Sequence, residues 1–549
     1  MSGSIELSAA QKAAVLGDGN FLLTACPGSG KTTSIAGRVA DLSKQGQSVA
    51  LLSYTKIGRD ELSRSIEYQH GVELPSESYV GTIHSFVSRY LVRPFAHILT
   101  GSAIPVRVDQ SAAIEYDPRG ADSTKSHFDL ANQLVGNYGK QLSYTELEKS
   151  LEGRTAAAQA GVVNYDDALY WALRVLKEVP GIAEALGRRF DEIIVDEAQD
   201  SNEVQLAILR ELYEGGLSSL VLVGDFDQTI YAFAGSQPQL CRELADDCGL
   251  DQRRLVENYR ASQLLCNATA QFRQLKTPDV AVGPYRQLDL SPKIVTYDPL
   301  EPTEVLGQFS SLIAGCGTPI QTSACLARGN ALKGVLRGGG DIYLTDFAAT
   351  ILRVAEAAVP GLVDLREIEH VIVTRAFGKS ARNLDLDELF VRNLALGVIE
   401  NLPQRSGVAK DWFAKADALL DQTVSDLAPA VSTSKRKRPL GSEIDPAISM
   451  EQLSDIDSTG MRIDSIHKAK GESIDAVMVV AAAPTEDWHT PQAQGWASAL
   501  SVGSAPNNEE LRIFYVAITR ARKLLALALP STTQDWIFQA FEAAGFELA

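Results

Sequence analysis

The sequence predicts an α/β protein built on parallel sheets, and three observations carry that expectation. The stretch "NFLLTACPGSGKTTSIAGRVADL" reads as apolar strand, glycine-rich turn and helix, with Phe21 to Thr24 as the strand and Ile35, Val39 and Leu42 at helical spacing after the turn. The stretch "FDEIIVDEAQD" ends the apolar run Ile193 to Val195 in two adjacent acids, Asp196 and Glu197. Apolar strands then alternate with periodic helices through much of the remaining chain, the pattern of a parallel sheet covered by helices.

At 549 residues the chain is too long for one core and implies roughly three or four structural units. Its 45% apolar and 22% charged residues are those of an ordinary globular protein. The net charge of −18 argues against a generally adhesive nucleic-acid binder, while leaving room for a local basic groove. Cys26, Cys241, Cys248, Cys266, Cys316 and Cys325 form no CxxC pair and no zinc or iron–sulfur spacing, which implies buried reduced thiols. The first residues show no basic-then-apolar leader, and the longest apolar stretch, "AVMVVAAAP", is shorter than the ~20 residues a spanning helix needs. The expectation is a soluble cytoplasmic protein with no membrane partner.

The turn "ACPGSGKT" at 25 to 32 nearly fits the phosphate-loop pattern GxxxxGK[ST], with Ala25 in place of the first glycine. Ala25, Pro27, Gly28, Ser29, Gly30, Lys31, Thr32 and Thr33 are therefore candidate nucleotide-binding residues. Gly28 and Gly30 let the backbone turn its N–H groups onto phosphate at a helix N-terminus. Lys31 would reach the β- and γ-phosphates, and the Thr32 hydroxyl would take a Mg²⁺ position. Two acids closing a strand repel one another, and a phosphate loop upstream gives them a use. Asp196 would sit in the first or second shell of Mg²⁺, and Glu197 would accept a proton from the attacking water. Together these segments predict a nucleotide hydrolase.

The tail "DEAQD" resembles motif II of the UvrD/Rep/PcrA group of superfamily 1 helicases, and further matches follow in that family's order. "LSAAQKAAV" resembles its Q-motif, "LLSYTKIGRDEL" its TFTNKAAxEM segment, "GTIHSF" its TFHS segment and "NYDDAL" its DFDDLL stretch. "VGDFDQTIYAFAGS" resembles motif III, "LVENYRAS" the NYRS segment and "ACLARGNA" the later YRSNAQ segment. "IDSIHKAKGESIDAV" resembles motif V and "EELRIFYVAITRAR" motif VI. The matches are collinear from residue 7 to residue 525.

The resemblance implies ATP with Mg²⁺ as cofactors and assigns roles to single residues. Gln11 would read the adenine edge and Tyr259 would stack on the adenine. Gln228 would touch the γ-phosphate or the attacking water, and Arg260 and Arg520 match the two arginine fingers, whose guanidinium keeps its charge at neutral pH. Tyr54, Thr55, Tyr231 and Phe233 fall at positions that stack on or support the bases of a single strand, and His84 and His467 where the strand backbone is contacted. Three departures stand out: Ala234 replaces an arginine near the strand, Ser473 replaces a glutamate that contacts the nucleotide sugar, and Ile57 replaces a lysine, with Lys56 one place earlier.

The resemblance also implies an organisation: two RecA-like P-loop NTPase motor domains with parallel sheets, each carrying a mostly helical insertion. The first motor, 1A, would comprise 1–87 and 186–262, with insertion 1B at 88–185, whose "DDALYWALRVLKEV" has helical Leu/Ala spacing. The second, 2A, would comprise 263–345 and 455–549, with a reduced 2B-like insertion at 346–454. Within that insertion "VSTSKRKRPLGSE" sets Lys435 to Arg438 in a row, a nucleic-acid contact or a solvated loop. No internal repeat and no nuclease appendage is read. The function implied is an ATP-dependent 3′→5′ helicase or translocase acting on single-stranded and tailed duplex DNA, with RNA left open. The alternative is a nucleotide-gated DNA-sensing subunit that recruits a partner nuclease, as in some antiphage systems, and a repair factor is a further partner class. A phosphate-loop kinase or ligase explains neither the arginine motifs nor "DEAQD".

Overall fold

The computed structural model describes residues 7–549 except 55, 71–73, 110–112, 114–125, 137–142, 231–237, 337–350, 353, 356–367, 370, 373–387, 405, 428–460, 484–491 and 502–508. The chain divides into two compact units, one of residues 1–296, 311–326 and 466–549 and the other of residues 297–310 and 327–465.

The larger unit is built around two large sheets. The first has six strands in the order Asp251–Leu255, Phe21–Ala25, Leu220–Gly224, Glu192–Asp196, Val49–Ser53 and Tyr79–Thr82. Every adjacent pair in it is parallel. Its central strands are buried along their whole length, as a sheet covered on both faces requires. Because side chains alternate, Leu22, Leu52, Ile193, Val195 and Leu222 enter one apolar cluster, while Phe21, Leu23, Leu51, Ile194 and Val223 enter another on the opposite face. Register then decides what stands at the carboxyl edge: Asp196 pairs with Ser53 on one side and Val223 on the other.

The second sheet includes Ser323–Ala327, Ile474–Val480, Ala521–Pro530, Lys293–Tyr297 and Glu547–Leu548 in that spatial order. Ile474–Val480 and Ala521–Pro530 run parallel, and the helix Glu509–Ile518 packs its apolar face onto them, with Phe514 stacked on Trp496 at 4.2 Å between ring centroids. Residues 476–480 of the apolar stretch thus lie in a fully buried strand. Among the described residues no helix is long and apolar enough to cross a membrane.

Between residues 88 and 185 the described elements include helices Arg93–Thr100, Tyr144–Gln159 and Tyr165–Glu178 with two short strand pairs. The helix over "YDDALYWALRVLKE" is capped by Asn164, whose side chain accepts from the Asp167 N–H. A buried ion pair between Arg154 and Asp167 ties two of these helices together. The smaller unit contains helices Glu388–Asn401 and Ala409–Leu427 around Ile351, Trp412, Phe413 and Leu420. The basic run Lys435 to Arg438 lies outside the described residues. All six cysteines are free.

Candidate functional site

The segments read as chemically important from the sequence meet in the larger unit at one cavity of about 720 Å³. Its floor is the turn after Phe21–Ala25. Gly28 and Gly30 have φ of +78° and +73°, the left-handed region. A β-carbon at Gly28 would stand 2.5 Å from that of Arg260, and one at Gly30 2.6 Å from Nε2 of Gln11, so no larger residue fits the turn. Lys31 opens the helix Lys31–Lys44.

Lys31 Nζ lies 2.5 Å from Glu197 Oε1 and 3.5 Å from Asp196 Oδ1. Burial opposes its charge, but the two carboxylates hold the ammonium protonated above its ordinary range. Burial raises Asp196, an effect that Lys31 partly offsets and Glu197 reinforces. Burial also acts to raise Glu197, yet Lys31, Lys470 and hydrogen bonds from Lys31 and Gln199 hold it well below the usual range. The pair is thus split, with Glu197 the firmly ionised member. Glu197 has φ +54° and ψ +39°, rare for a residue with a side chain and a strain that surrounding contacts must maintain. Those contacts are Lys31 on one carboxylate oxygen and Gln199 Nε2 on the other, at 2.5 Å each.

A hydrogen-bonded chain runs on from motif III. Asp225 Oδ2 accepts from Gln228 Nε2 at 2.7 Å, and Gln228 Oε1 accepts from Arg520 Nη2 at 2.8 Å. Arg520, only 2% exposed, also donates to the carbonyls of Val516 and Glu472. Burial lowers it to about 10, and Asp225 and Glu197 resist that loss, so the guanidinium remains charged at neutral pH. Arg260 donates to the Thr519 carbonyl at 2.8 Å. Residues beside the first sheet therefore face residues beside the second across one cavity.

Residues 7–249 match a model described as the UvrD/REP helicase N-terminal domain, and residues 443–532 one described as the UvrD-like helicase C-terminal domain. The chain belongs to the UvrD/Rep/PcrA-like helicase family. Its relatives include the ATP-dependent DNA helicase UvrD1 of Mycobacterium leprae, 28% identical over 48% of this chain and 38% of that protein. DNA helicase II of Escherichia coli is 28% identical over 45% of this chain and 37% of its own length. The putative ATP-dependent DNA helicase YjcD of Bacillus subtilis is 23% identical over 95% of this chain and 78% of its own. The first two matches thus span well under half of those relatives.

Of the UvrD-like site residues expected from sequence, the loop from Ala25 to Thr33, Asp196, Glu197, Gln228, Tyr259, Arg260, His467 and Arg520 all line the cavity. Gln11 is placed beneath the loop: its Nε2 donates to the Ser29 carbonyl at 3.0 Å and its Oε1 accepts from Ser8 N–H in a capping box. Tyr259 directs its hydroxyl to Glu257 at 2.7 Å. His84 stands edge-on to Tyr165, and burial lowers its pKa. Tyr54 is half-buried at the end of Val49–Ser53 and does not line the cavity. Thr55, Tyr231, Phe233 and the departure Ala234 lie outside the described residues.

Several lining residues escaped the sequence reading. Asp200, the last acid of "DEAQD", pairs with Lys470 of motif V at 2.7 Å, and burial raises it to about 6 against the pull of Lys470. Both were inside quoted motifs, so the signal was present. Tyr285 carries no motif; its hydroxyl accepts from Arg522 at 3.0 Å, and only the fold brings it to the cavity. Ser473, the departure from the family's glutamate, also lines it.

The residues present suit Mg²⁺. Asp196 Oδ1 is buried and accepts no hydrogen bond among the described residues, and Thr32 lines the same cavity. Among the described residues no three His, Cys, Asp or Glu gather as a dedicated metal cluster.

Proposed function

We propose that the chain is an ATP-dependent motor on single-stranded DNA that hydrolyses Mg²⁺-ATP and unwinds tailed duplexes with 3′→5′ polarity. The observation that supports this most is the meeting of Lys31, Asp196, Glu197 and Gln228 with Arg260 and Arg520 around one cavity flanked by two sheets. The helicase names of the relatives support DNA as substrate, and the polarity rests on the family resemblance.

In this reading the backbone N–H groups from Gly28 to Thr32 bind the phosphates and Lys31 takes the β- and γ-oxygens. Thr32 and Asp196 would hold Mg²⁺, which when bound neutralises charge between the transferring phosphates. Glu197, ionised and held in one orientation, takes the proton of the attacking water. Arg260 and Arg520 stabilise the charge that develops on the γ-phosphate, and Gln228 links Arg520 to the strand-binding side. Tyr259 stacks on the adenine and Gln11 supports the loop beneath it. Tyr54, Thr55, His84, Tyr231, Phe233 and His467 form the strand path. Boundaries at 87/88, 185/186, 262/263, 345/346 and 454/455 divide the motors from their insertions.

The net charge of −18 and Ala234 in place of an arginine favour a second reading, a DNA sensor that gates a partner nuclease. Steady-state ATPase of wild type and Glu197→Gln, with and without single-stranded DNA, separates the readings when run beside 3′- and 5′-tailed duplexes. DNA stimulation lost in the variant, with unwinding only from the 3′ tail, is expected. Stimulation without unwinding favours the sensor. No response to any nucleic acid overturns both.

A further inference from the structure

A second cavity, of about 460 Å³, lies behind the phosphate loop within the same unit. It shares Ala25, Cys26 and Asp225 with the first. One wall is the edge strand Asp251–Leu255, which reads Asp-Gln-Arg-Arg-Leu and is largely exposed, unlike the apolar strands beside it. Gln252 and Arg254 stand opposite Leu22 and Thr24 in register and so share a face of the sheet. The other walls come from Asp225 to Asp227, Arg242 and the turn Arg273 to Leu275.

Four arginines line this space, and their engagements differ. Arg253 is held by the Ala14 and Asp18 carbonyls and Arg273 by Asp279 at 2.8 Å. Among the described residues Arg242 hydrogen-bonds only Gln274 Oε1, at 3.4 and 3.5 Å, and rests over the Phe226 ring at 4.7 Å. Arg254 is exposed and makes no hydrogen bond or ion pair among the described residues. Two guanidinium groups with donors to offer therefore flank a concave space that also contains Asp227, which accepts from the Gln274 N–H at 3.2 Å and whose charge faces Arg273, Arg242 and Arg254. A bare dianion would be repelled by Asp227, whereas an anion carrying hydroxyls would satisfy both kinds of group.

We propose that this cavity binds a phosphate monoester bearing sugar hydroxyls, with Arg242 and Arg254 on the phosphate and Asp227 accepting from a hydroxyl. Occupancy is transmitted to the nucleotide cavity through Asp225, which hydrogen-bonds Gln228 and through it Arg520. The ligand's source is either a free sugar phosphate or nucleotide, or the phosphorylated end of a nucleic acid.

The test is calorimetric titration of ribose 5-phosphate and of inorganic phosphate into full-length Lys31→Ala, which lacks the phosphate-binding lysine of the first cavity. One-to-one binding is expected, tighter for ribose 5-phosphate, and weakened about tenfold or more by adding Arg254→Ala or Arg242→Ala. Asp227→Asn should bring the two affinities together. An oligonucleotide with a 5′-phosphate competing where its unphosphorylated form does not identifies the nucleic-acid source; competition by adenosine monophosphate alone identifies the free one. In protein with Lys31 intact, ribose 5-phosphate should shift nucleotide affinity at least about twofold, and Arg254→Ala should abolish the shift. Arg254 is exposed, so its variant folds. No binding up to about 10 mM, or binding unchanged in the double arginine variant, overturns the proposal and leaves the arginines as charges that protect a sheet edge. The binding arm requires neither hydrolysis nor DNA, so its failure is distinct from failure of the motor reading.

Discussion

Glu197→Gln is expected to separate nucleotide affinity from hydrolysis in opposite directions. In the structure Glu197 occupies the lysine that phosphate must reach: Lys31 Nζ is 2.5 Å from its Oε1. A nucleotide that engages Lys31 must therefore displace a charge-assisted hydrogen bond, which contributes roughly 1.5–3 kcal/mol where solvent is excluded. Glu197 is 31% exposed and Lys31 15%, so we discount that to about 1–2 kcal/mol for solvent screening. Glutamine is isosteric and can still accept from Lys31, but without charge. Nucleotide should bind about five- to thirtyfold more tightly to the variant. Hydrolysis should fall by about 10²–10⁴, because the amide cannot take a proton from water. Because Glu197 is held below its usual pKa, the affinity difference should not vary between about pH 6 and 9. Fluorescent-nucleotide titration gives the affinity and single-turnover hydrolysis the rate. If affinity falls together with the rate, Glu197 contributes to holding nucleotide and the displacement argument is wrong.

Three further outcomes follow from named contacts. Arg520→Lys keeps a charge but loses the planar group that reaches Val516, Glu472 and Gln228 together, so kcat should drop about 10³-fold or more with circular dichroism unchanged. Glu192→Ala leaves the Arg38 guanidinium, 4% exposed, without its buried carboxylate, and should cost about 3–5 kcal/mol, read as a lower urea midpoint. Asp167, beside Arg154, is raised by burial to about 6, so the native state binds its proton more tightly than the unfolded chain does. Its stabilising contribution is complete below about pH 4 and is lost as pH rises through about 6; Asp167→Asn should remove that slope from urea midpoints measured from pH 4 to 7.

The parts legible in sequence were those where chemistry and local backbone coincide. A glycine-rich turn between strand and helix specifies its own conformation, as φ at Gly28 and Gly30 shows, and acids after an apolar run stand at a strand end because the strand is buried. Residues whose role depends on distant packing were not legible. Tyr285 follows no periodicity, and its place beside Arg522 arises from chain folding back across a sequence separation of 237. Gln11 was legible through the resemblance of its segment to a family motif, but its capping box with Ser8 and its bond to the Ser29 carbonyl require the three-dimensional path of the first helix beneath the loop. The edge strand Asp251–Leu255 was unreadable for the opposite reason: three of its five residues are charged, so no apolar run announced it, and only pairing with Phe21–Ala25 makes it a strand.

On the motor reading proposed above, the contacts that join the two sheet-bearing halves of the larger unit are where chemistry at the cavity would be converted into motion. Arg520 meets Gln228, Lys470 meets Asp200, Arg260 meets the Thr519 carbonyl and Arg512 meets the Thr229 carbonyl. Each places a cation of one half on a polar oxygen of the other, and three of the four involve residues that line the nucleotide cavity. Ile230, buried in the apolar cluster of the second sheet, is a hydrophobic contact of the same kind. Hydrogen bonds to charged groups contribute about 1.5–3 kcal/mol each net where solvent is excluded and less where water reaches them, because water replaces them when they part. Separating the halves at this seam therefore costs on the order of several kcal/mol, the range of differential affinity that a nucleotide needs in order to drive a two-state change. An apolar seam of similar extent would resist opening more strongly and respond less to the charge of the nucleotide. The polarity of the seam is thus itself a requirement of the motor reading, and it lies in residues of motifs II, III, V and VI.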